Sequence, residues 1–410
     1  MTSLWLVVTC FVFSTGVFNA EAKYQLVGTQ RQRSAAELRA IQKDVRIDDP
    51  DDPLLFQIAV GTPISCSSFH EEARPKRELA QKERKLVTFS AQTFKVAIDL
   101  STDYMWLLNK NYTGRQTNQS FYDPSISSTS RSMGYYLWDA GDNFGTYGHV
   151  YSDLVSFLSI DKIPKMTNQS FSVVEKIYQG KDEVSVNVPD GVVGFAWNAS
   201  RKPSDPTPPI LTFFESLPST TPKTVLISLK RDASSLPSSY TSVITFGEDD
   251  ENHCNTFYET APLDFGSSVF PERASFTIDL FKIKDYSDTR SYLATLDISQ
   301  YAVIMPSDAY SNVYDMLQPT YDYELSIWVV DCAKSQSSDY QLKFEIKKAE
   351  ISVYARNYIY DIGYGDGQCA AAFDLSDSNT WSFGNPFFLT NCVKFDVEKQ
   401  EVGFSVNKFR

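Results

Sequence analysis

Histidine is scarce in this chain, and the catalytic motifs that depend on it are missing. The 410 residues include three histidines, His70, His149 and His253. So few argue against a histidine-rich metal site and against a Ser-His-Asp triad. The sequence also lacks the H-E-x-x-H, P-loop, dinucleotide-binding and G-x-S-x-G motifs. We therefore expect neither a metal nor a cofactor.

Positive charge and long apolar runs are also in short supply. The formal net charge is -13 and the sequence pI is about 4.8. An acidic chain is a poor partner for nucleic acid or an anionic membrane surface. The apolar run at residues 4–13 is too short to cross a bilayer, and no later run is long enough. We expect no nucleic-acid partner and no membrane span.

The amino terminus carries the pattern of an export signal. The apolar run is followed by small residues and Ala20-Glu21-Ala22, which predicts a signal peptide over residues 1–22. Four N-x-S/T sequons support passage through the secretory pathway. Their asparagines are Asn111, Asn118, Asn168 and Asn198. The expected location is extracellular or lysosomal.

Cysteine spacing favours disulfides over metal binding or thiol redox chemistry. No C-x-x-C pair occurs, and Cys10 lies inside the predicted signal. The remaining cysteines are Cys66, Cys254, Cys332, Cys369 and Cys392. An odd number in an exported chain leaves one thiol unpaired or intermolecular.

A basic leader precedes a strongly acidic body. Residues 23–46 carry net +4, whereas residues 47–410 carry net -16. The contrast predicts a prosegment at residues 23–50 that is docked electrostatically and released when low pH protonates the body. The alternative is a solvated basic helix at residues 34–43. The Asp- and Pro-rich stretch Asp48–Pro53 marks the boundary with the body.

Beyond residue 53 the pattern is that of a mostly β protein. Short runs of aromatic and β-branched residues alternate with turn residues. Examples are Leu54–Val60, Val225–Leu229, Val243–Phe246, Phe276–Ile283 and Val402–Val406. The best helical pattern is Asp308–Leu317, and residues 203–222 are interpreted as a surface loop near the joint between the two halves.

Two aspartates occur in matching frames almost 200 residues apart. Residues 94–102 read FKVAIDLST and residues 292–300 read YLATLDISQ. In each, an apolar strand ends at an aspartate, Asp99 or Asp297, which a branched apolar residue and a serine follow. Two carboxylates brought together can share one proton and activate water. The alternative is that one aspartate is an ordinary turn residue.

Several segments in order resemble the pepsin-type aspartic peptidases. Trp106 lies seven residues after Asp99, and Pro306 lies nine after Asp297, as in that family. The other matching segments are Phe56–Pro63, Phe121–Thr129, Pro189–Trp197, Ile244–Gly247, Trp381–Phe387, Phe395–Asp396 and Val402–Phe404. The resemblance covers about residues 54–410, and residues 190–197 are its most specific part.

The resemblance implies a mostly β, bilobal pepsin-like fold with a cleft that binds a peptide or protein. The amino-terminal lobe would span residues 51–226 and the carboxy-terminal lobe residues 227–410. The family is usually monomeric. The resemblance also implies a Cys332–Cys369 disulfide. A second pair within the same lobe, Cys254 with Cys392, would leave Cys66 unpaired.

An insertion at residues 64–91 separates the first matching segment from the strand of Asp99. It contains Arg74-Pro-Lys-Arg77, which resembles a processing site for basic-specific convertases. The alternatives are a solvated helical excursion and an unspliced segment in a gene model.

In the family, a water molecule held between Asp99 and Asp297 would attack the peptide carbonyl. The family motif is Asp-Thr/Ser-Gly, but here the triplets are Asp99-Leu100-Ser101 and Asp297-Ile298-Ser299. Leu100 and Ile298 cannot make the family's hydroxyl bond between the loops. The serines replace glycines, Thr102 preserves the next hydroxyl position, and Gln300 does not.

The resemblance assigns Trp106 and Trp138 to the cleft. The family closes its cleft with a hairpin that carries a tyrosine before a G-x-G tip. Tyr136, Trp138 or Tyr147 could take that place, but none aligns cleanly.

Three functions are compatible with the sequence. The first is an acid endopeptidase whose activity is reduced by its altered loops. The second is a catalytically inactive relative that binds peptides or proteins in its cleft, and the third is a storage protein with no cleft function.

Overall fold

The structure is a computed structural model, and its described residues are spread over the chain in fifteen stretches. They are 24–31, 55–61, 64–65, 88–89, 91–112, 119–140, 145–158, 165–179, 182–183, 188–197, 206–232, 239–257, 260–265, 274–363 and 365–408. The predicted signal peptide, the predicted helix at 34–43, Cys66, residues 74–77 and the sequons at Asn118 and Asn198 lie outside these stretches.

Strands dominate the described residues. In the first half of the chain they are β1 Tyr24–Arg31, β2 Leu55–Val60, β3 Ile64–Ser65, β4 Thr88–Phe89, β5 Gln92–Asp99, β6 Met105–Leu108, β7 Arg131–Ala140, β8 Gly145–Phe157, β9 Met166–Gln179, β10 Asp182–Glu183, β11 Gly191–Gly194, β12 Thr224–Asp232 and β13 Ser239–Phe246.

The second half continues the same pattern. Its strands are β14 Ala261–Pro262, β15 Asp264–Phe265, β16 Ala274–Ile278, β17 Leu280–Ile283, β18 Tyr286–Asp288, β19 Tyr292–Leu296, β20 Val303–Met305, β21 Thr320–Asp322, β22 Ile327–Asp331, β23 Leu342–Ile346, β24 Ala349–Val353, β25 Ile359–Tyr360, β26 Gln368–Ala371, β27 Phe373–Leu375, β28 Trp381–Phe383, β29 Asn391–Asp396 and β30 Glu401–Val406.

Short helices connect some of these strands. The α-helices are α1 Pro209–Ser216, α2 Ser307–Leu317, α3 Ala355–Tyr358 and α4 Asn385–Thr390, and 3₁₀ turns cover Pro124–Ile126, Cys332–Gln336 and Ser338–Tyr340. Helix α2 confirms the helix predicted at 308–317.

The largest sheet joins strands from both halves of the chain. Its order is β14-β30-β29-β12-β13-β1-β2-β5-β11-β6-β9-β8-β7, with β10 paired to β9. The carboxy-terminal half adds three further sheets, β15-β16-β19-β28-β20-β27, β18-β17-β23-β24 and β21-β22-β26-β25. The mostly β, bilobal pepsin-like architecture expected from the sequence is therefore confirmed.

Part of the basic leader is built into the largest sheet. Strand β1 pairs with β13 from Tyr24↔Phe246 to Arg31↔Ser239, and its Thr29 pairs with Leu55 of β2. Backbone hydrogen bonds therefore attach residues 24–31 of this leader. The electrostatic docking expected from the sequence stays a prediction.

The prediction of a surface loop at residues 203–222 is wrong. Residues 209–216 form helix α1, in which Ile210, Phe213 and Phe214 are buried. Their i, i+3, i+4 spacing gives the helix one apolar face. Pro209 occupies its first turn, where a proline costs no hydrogen bond. The Phe213 ring lies 4.4 Å from that of Phe246, which anchors the helix on the sheet.

The structure contains both disulfides considered from the sequence. Cys332 is bonded to Cys369, and Cys254 is bonded to Cys392. Cys254 and Cys392 are both buried, and the strand of Cys392, β29, belongs to the largest sheet.

A buried carboxylate anchors the approach to the second aspartate strand. Asp288 accepts two-pronged hydrogen bonds from Arg290, at 2.9 Å from Nε and 2.6 Å from Nη2, and one of 2.8 Å from Tyr292 Oη. Arg290 also reaches Asp308 at 2.6 Å, at the start of α2. The hydrogen bonds from Arg290 hold the pKa of Asp288 well below its ordinary range.

This clamp predicts a pH-dependent loss of stability in Asp288→Asn. Because the folded-state pKa is depressed, the carboxylate stabilises the fold above its unfolded pKa of about 4. That stabilisation decreases as pH falls towards the folded-state value. We expect the variant to lose about 1–3 kcal/mol at pH 6 and progressively less at pH 4 and pH 2. Urea unfolding at the three pH values measures it.

The matched control is Asp285→Asn, which changes an exposed aspartate three residues away. It should leave the unfolding free energy within about 0.5 kcal/mol of the parent protein. A loss in Asp288→Asn that stays the same from pH 6 to pH 2 would contradict the clamp.

Candidate active site

The first aspartate stands at the end of a buried strand. In β5, Val96, Ala97 and Ile98 are buried and Asp99 is half-buried. Strand β11 runs parallel to β5 with Gly194 opposite Asp99, and antiparallel to β6. Residues 100–104 therefore form the loop that connects β5 to β6, and β11 lies between these two strands in the sheet.

The second aspartate stands in the same arrangement. Strand β19 is buried up to Leu296, and Asp297, 9% exposed, follows it. Strand β28 runs parallel to β19 with Phe383 opposite Leu296, and antiparallel to β20. The two matching sequence frames therefore have the same arrangement of strands around them.

Backbone hydrogen bonds fix both loops at the same positions. Gly194 N–H donates to the carbonyl five residues after Asp99, at 2.9 Å, and Gly384 N–H donates to the carbonyl five residues after Asp297, at 3.1 Å. A Cβ on either glycine would collide with the carbonyl oxygens of the loop it supports. Glycine is therefore required at both positions for this close approach.

A serine holds each carboxylate. Ser101 donates to Asp99 Oδ1 from its backbone N–H at 2.7 Å and from Oγ at 2.6 Å. Ser299 donates to Asp297 Oδ1 in the same way, at 2.9 Å and 2.5 Å. Hydrogen bonds of this kind orient the carboxylate. The serine side chains that the sequence placed in a crowded position act here as donors.

The residues between aspartate and serine are buried apolar side chains. Leu100 is 8% exposed and Ile298 is fully buried, and both belong to the main hydrophobic core. Apolar packing occupies the positions where the family has hydroxyl groups. The Thr102 hydroxyl is buried and has no hydrogen-bond partner among the described residues.

Asp190 anchors the segment that leads into β11, beside the strand of Asp99. Its carboxylate is buried and accepts from Lys95 N–H at 2.7 Å and Ser120 N–H at 2.9 Å. These bonds tie the segment before β11 to strand β5 and to the turn at residue 120. The sequence resemblance identified residues 190–197 as its most specific part but did not reveal the hydrogen-bond partners of Asp190.

The two tryptophans assigned to the cleft are placed as follows. Trp106, in β6, is 5% exposed and packs in a satellite cluster with Leu108, Val174 and Ile177. Trp138 lies on β7 opposite Tyr147 in the strand register. Its side chain lies outside what the structure describes.

Strands β7 and β8 form a β-hairpin in the part of the chain where the sequence predicts the family's closing hairpin. Tyr136 stacks on Tyr147 at 5.1 Å and on His149 at 4.8 Å between ring centroids. Tyr136 is 51% exposed. The tip at residues 141–144 lies outside the described residues, so the residue that closes over a substrate stays a prediction.

Two of the four sequon asparagines can be located. Asn111 and Asn168 are exposed, and Asn168 adopts the left-handed backbone conformation with φ of 57°. Both are accessible to a glycan, and their glycosylation stays a prediction.

The sequence missed the dual role of Ser101 and Ser299. A serine two residues after an aspartate is the pattern of a local turn in which the backbone N–H returns to the carboxylate. That pattern was available in both frames and identifies the donors. It could not show that the serine hydroxyl also binds the same oxygen.

Comparison with known proteins agrees with this geometry. The profile of the eukaryotic aspartyl protease family matches residues 87–407, and the chain belongs to that family. The chain is 26% identical to aspartic protease 17 of Caenorhabditis elegans over 96% of its own length and 93% of that protein. It is 23% identical to mucorpepsin of Rhizomucor miehei, over 77% and 75% of the two chains.

A shorter match joins the chain to aspartic protease 1 of Caenorhabditis elegans. The two are 23% identical over 220 residues, which is 53% of this chain and 54% of that protein. Among the described residues, no helix is long and apolar enough to cross a bilayer.

The apolar loop residues predict a specific response to restoring a hydroxyl. In Ile298→Thr a hydroxyl replaces a methyl-bearing branch at a fully buried position. We expect a loss of about 1–3 kcal/mol in the free energy of unfolding, because the hydroxyl is desolvated. Thermal and urea unfolding measure the change.

Thr295→Val is the matched control on the neighbouring strand β19. The Thr295 hydroxyl is already buried with no hydrogen-bond partner among the described residues. Removing it should be neutral or stabilising. Equal losses in the two variants would contradict the apolar packing assigned to Ile298.

Proposed function

We propose that this protein is an aspartic endopeptidase that hydrolyses peptide bonds at acid pH with a water molecule held between Asp99 and Asp297. The observation that carries the proposal is the matched pair of loops. Each has an aspartate at the end of a buried strand, a serine bound to Oδ1 and a tightly packed glycine whose N–H donates to the loop's backbone.

The carboxylate geometry supports a role for water. Asp297 is 9% exposed and Oδ1 is held by Ser299, whereas Oδ2 accepts no hydrogen bond from any described residue. A carboxylate oxygen with no donor among the described residues is suited to a water molecule. When two carboxylates share one proton, one acts as the base towards that water and the protonated one donates to the developing oxyanion.

We propose that turnover is slower than in relatives that carry hydroxyl residues in these loops. Leu100 and Ile298 can only pack, so no side-chain hydrogen bond from them fixes one loop to the other. A displacement of about 1 Å between reacting groups can cost roughly a hundredfold in rate. The serine donors counter this loss by orienting each carboxylate within its own loop.

The second candidate function is that of an inactive peptide-binding relative. The same apolar loop residues favour it, because a cleft retains its shape without precise alignment of the two carboxylates. Secretion or lysosomal delivery belongs to both candidates. The amino-terminal apolar run, the exposed sequon asparagines Asn111 and Asn168 and the two disulfides support it.

Cleavage of a quenched fluorescent peptide separates the two candidates. The full-length protein is acidified and its activity is followed from pH 3 to pH 7, beside Asp99→Asn and Asp297→Asn. We expect acid-dependent cleavage by the parent and a loss of at least about a hundredfold in each variant, because an amide cannot act as base or share the proton.

Asp264→Asn, an exposed aspartate on β15, is the control and should cleave at the parent rate. Equal cleavage by the parent and Asp99→Asn would eliminate the enzyme proposal. Tight binding of a statine-type inhibitor with no cleavage by the parent would favour the inactive binding protein.

A further inference from the structure

A basic cavity lies in the carboxy-terminal half, away from the catalytic loops. Its volume is about 800 Å³. Lys230, Arg231, Arg356 and Lys408 line it, and among the described residues that line it Asp361 carries the one negative charge. No residue of the loops after Asp99 or Asp297 lines it.

The charge of this cavity is opposite to that of the whole chain. Four cationic side chains around one concavity stand against a formal net charge of -13 for the protein. Cationic groups that share a concave, low-dielectric surface concentrate positive potential there. An anion repelled by most of the molecular surface is therefore attracted to this place.

The structure holds Arg231 in a fixed orientation. Its Nη1 and Nη2 donate to the carbonyls of Arg356 and Asn357, at 2.6 Å and 3.2 Å. Its guanidinium carbon lies 5.4 Å from the centroid of the Tyr360 ring. A planar cation clamped on an aromatic ring has lost much of its side-chain freedom before any ligand arrives.

Arg356 is stacked in a similar way. Its guanidinium carbon lies 4.9 Å above the centroid of the Tyr354 ring. The side chain is exposed and forms no ion pair with a carboxylate of any described residue. It can therefore meet an external anion without breaking an existing ion pair among these residues.

The walls of the cavity are partly apolar. Ile359, Leu389 and the Cys332–Cys369 disulfide contribute to its lining beside the tyrosine rings. The volume falls within the range of about 300–1,000 Å³ that is typical of small-molecule sites and is much larger than a bare inorganic anion needs. A matching ligand has a charged end and an organic body.

We propose that this cavity binds a phosphate or sulfate ester carried on an organic body of the size of a sugar. Arginine presents paired N–H donors that match the oxygens of such a group. Arginine and lysine stay protonated at acid pH, and a sulfate or phosphate monoester keeps at least one negative charge there. A carboxylate ligand would be neutralised below about pH 4.

Calorimetry on the full-length protein tests the proposal. The probes are glucose 6-phosphate and a sulfated disaccharide, with glucose as the neutral control, at pH 4.5 and low salt. We expect at least one ester to bind and glucose not to bind. Raising the salt should weaken ester binding, because exposed charge pairs are screened. The ester that binds more tightly identifies the source of the anion.

Two variants connect the binding to the cavity. Arg356→Gln and Lys230→Gln each remove one exposed cation, and each should weaken ester binding about tenfold. Lys282→Gln removes an exposed lysine on β17 and should leave the affinity unchanged. Thermal melting verifies that the variants are folded. If Arg356→Gln is unstable, Lys230→Gln decides the result.

The outcome is separate from that of the peptidase assay. Peptide cleavage and inhibitor binding should be equal in the parent and the cavity variants, since no catalytic group is altered. Equal ester affinity in the parent and both variants, or glucose binding as tight as the ester, would overturn the proposal. Tighter binding of an acidic peptide than of either ester, lost in Arg356→Gln, would assign the cavity to peptide carboxylates instead.

Discussion

The short hydrogen bonds from one serine to each aspartate are the interactions on which the site depends. Asp99 and Asp297 emerge from buried strands, where an ionised carboxylate is costly unless it is hydrogen-bonded. Ser101 and Ser299 meet that requirement from two atoms each, the backbone N–H and the hydroxyl. The carboxylates are thereby oriented within their own loops.

Each loop combines hydrogen bonds from its serine with apolar packing of the residue before that serine. The serine replaces a family glycine and takes over the binding of the carboxylate, while Leu100 and Ile298 join the hydrophobic core. Packing of this kind stabilises the loops but has little directionality. The backbone bonds of Gly194 and Gly384 hold each loop within its own half of the chain, so the position of one loop relative to the other depends on the sheet that joins the two halves.

Charge is distributed unevenly in a molecule that is acidic overall. The clamp between Asp288 and Arg290 lowers the pKa of a buried carboxyl and so preserves its charge as pH falls. The cavity beside Arg231 and Arg356 gathers four cationic side chains around one space in a chain whose net charge is -13. Both features are built from arginine, whose planar guanidinium keeps its charge and its paired donors over the whole acid range.

The sequence predicted the family and much of the fold because its signals are local. The apolar run before Asp99 and the same run before Asp297 predict strands, and the residues around them carry the family's spacing. The helix at 307–317 also followed from local periodicity. The helix at 209–216 was missed, because prolines and serines on both sides of it obscured three well-spaced apolar side chains.

By itself the sequence determined which residue types stand at the ends of the two strands. It also determined that the hydroxyl residue that the family has after each aspartate is absent. Only the tertiary structure decided what replaces it, because Leu100 and Ile298 meet one core through contacts between residues far apart in the chain. The same reason applies to the cavity. Its cations come from β12, α3 and the residues after β30, and no spacing along the chain indicates that they surround one space.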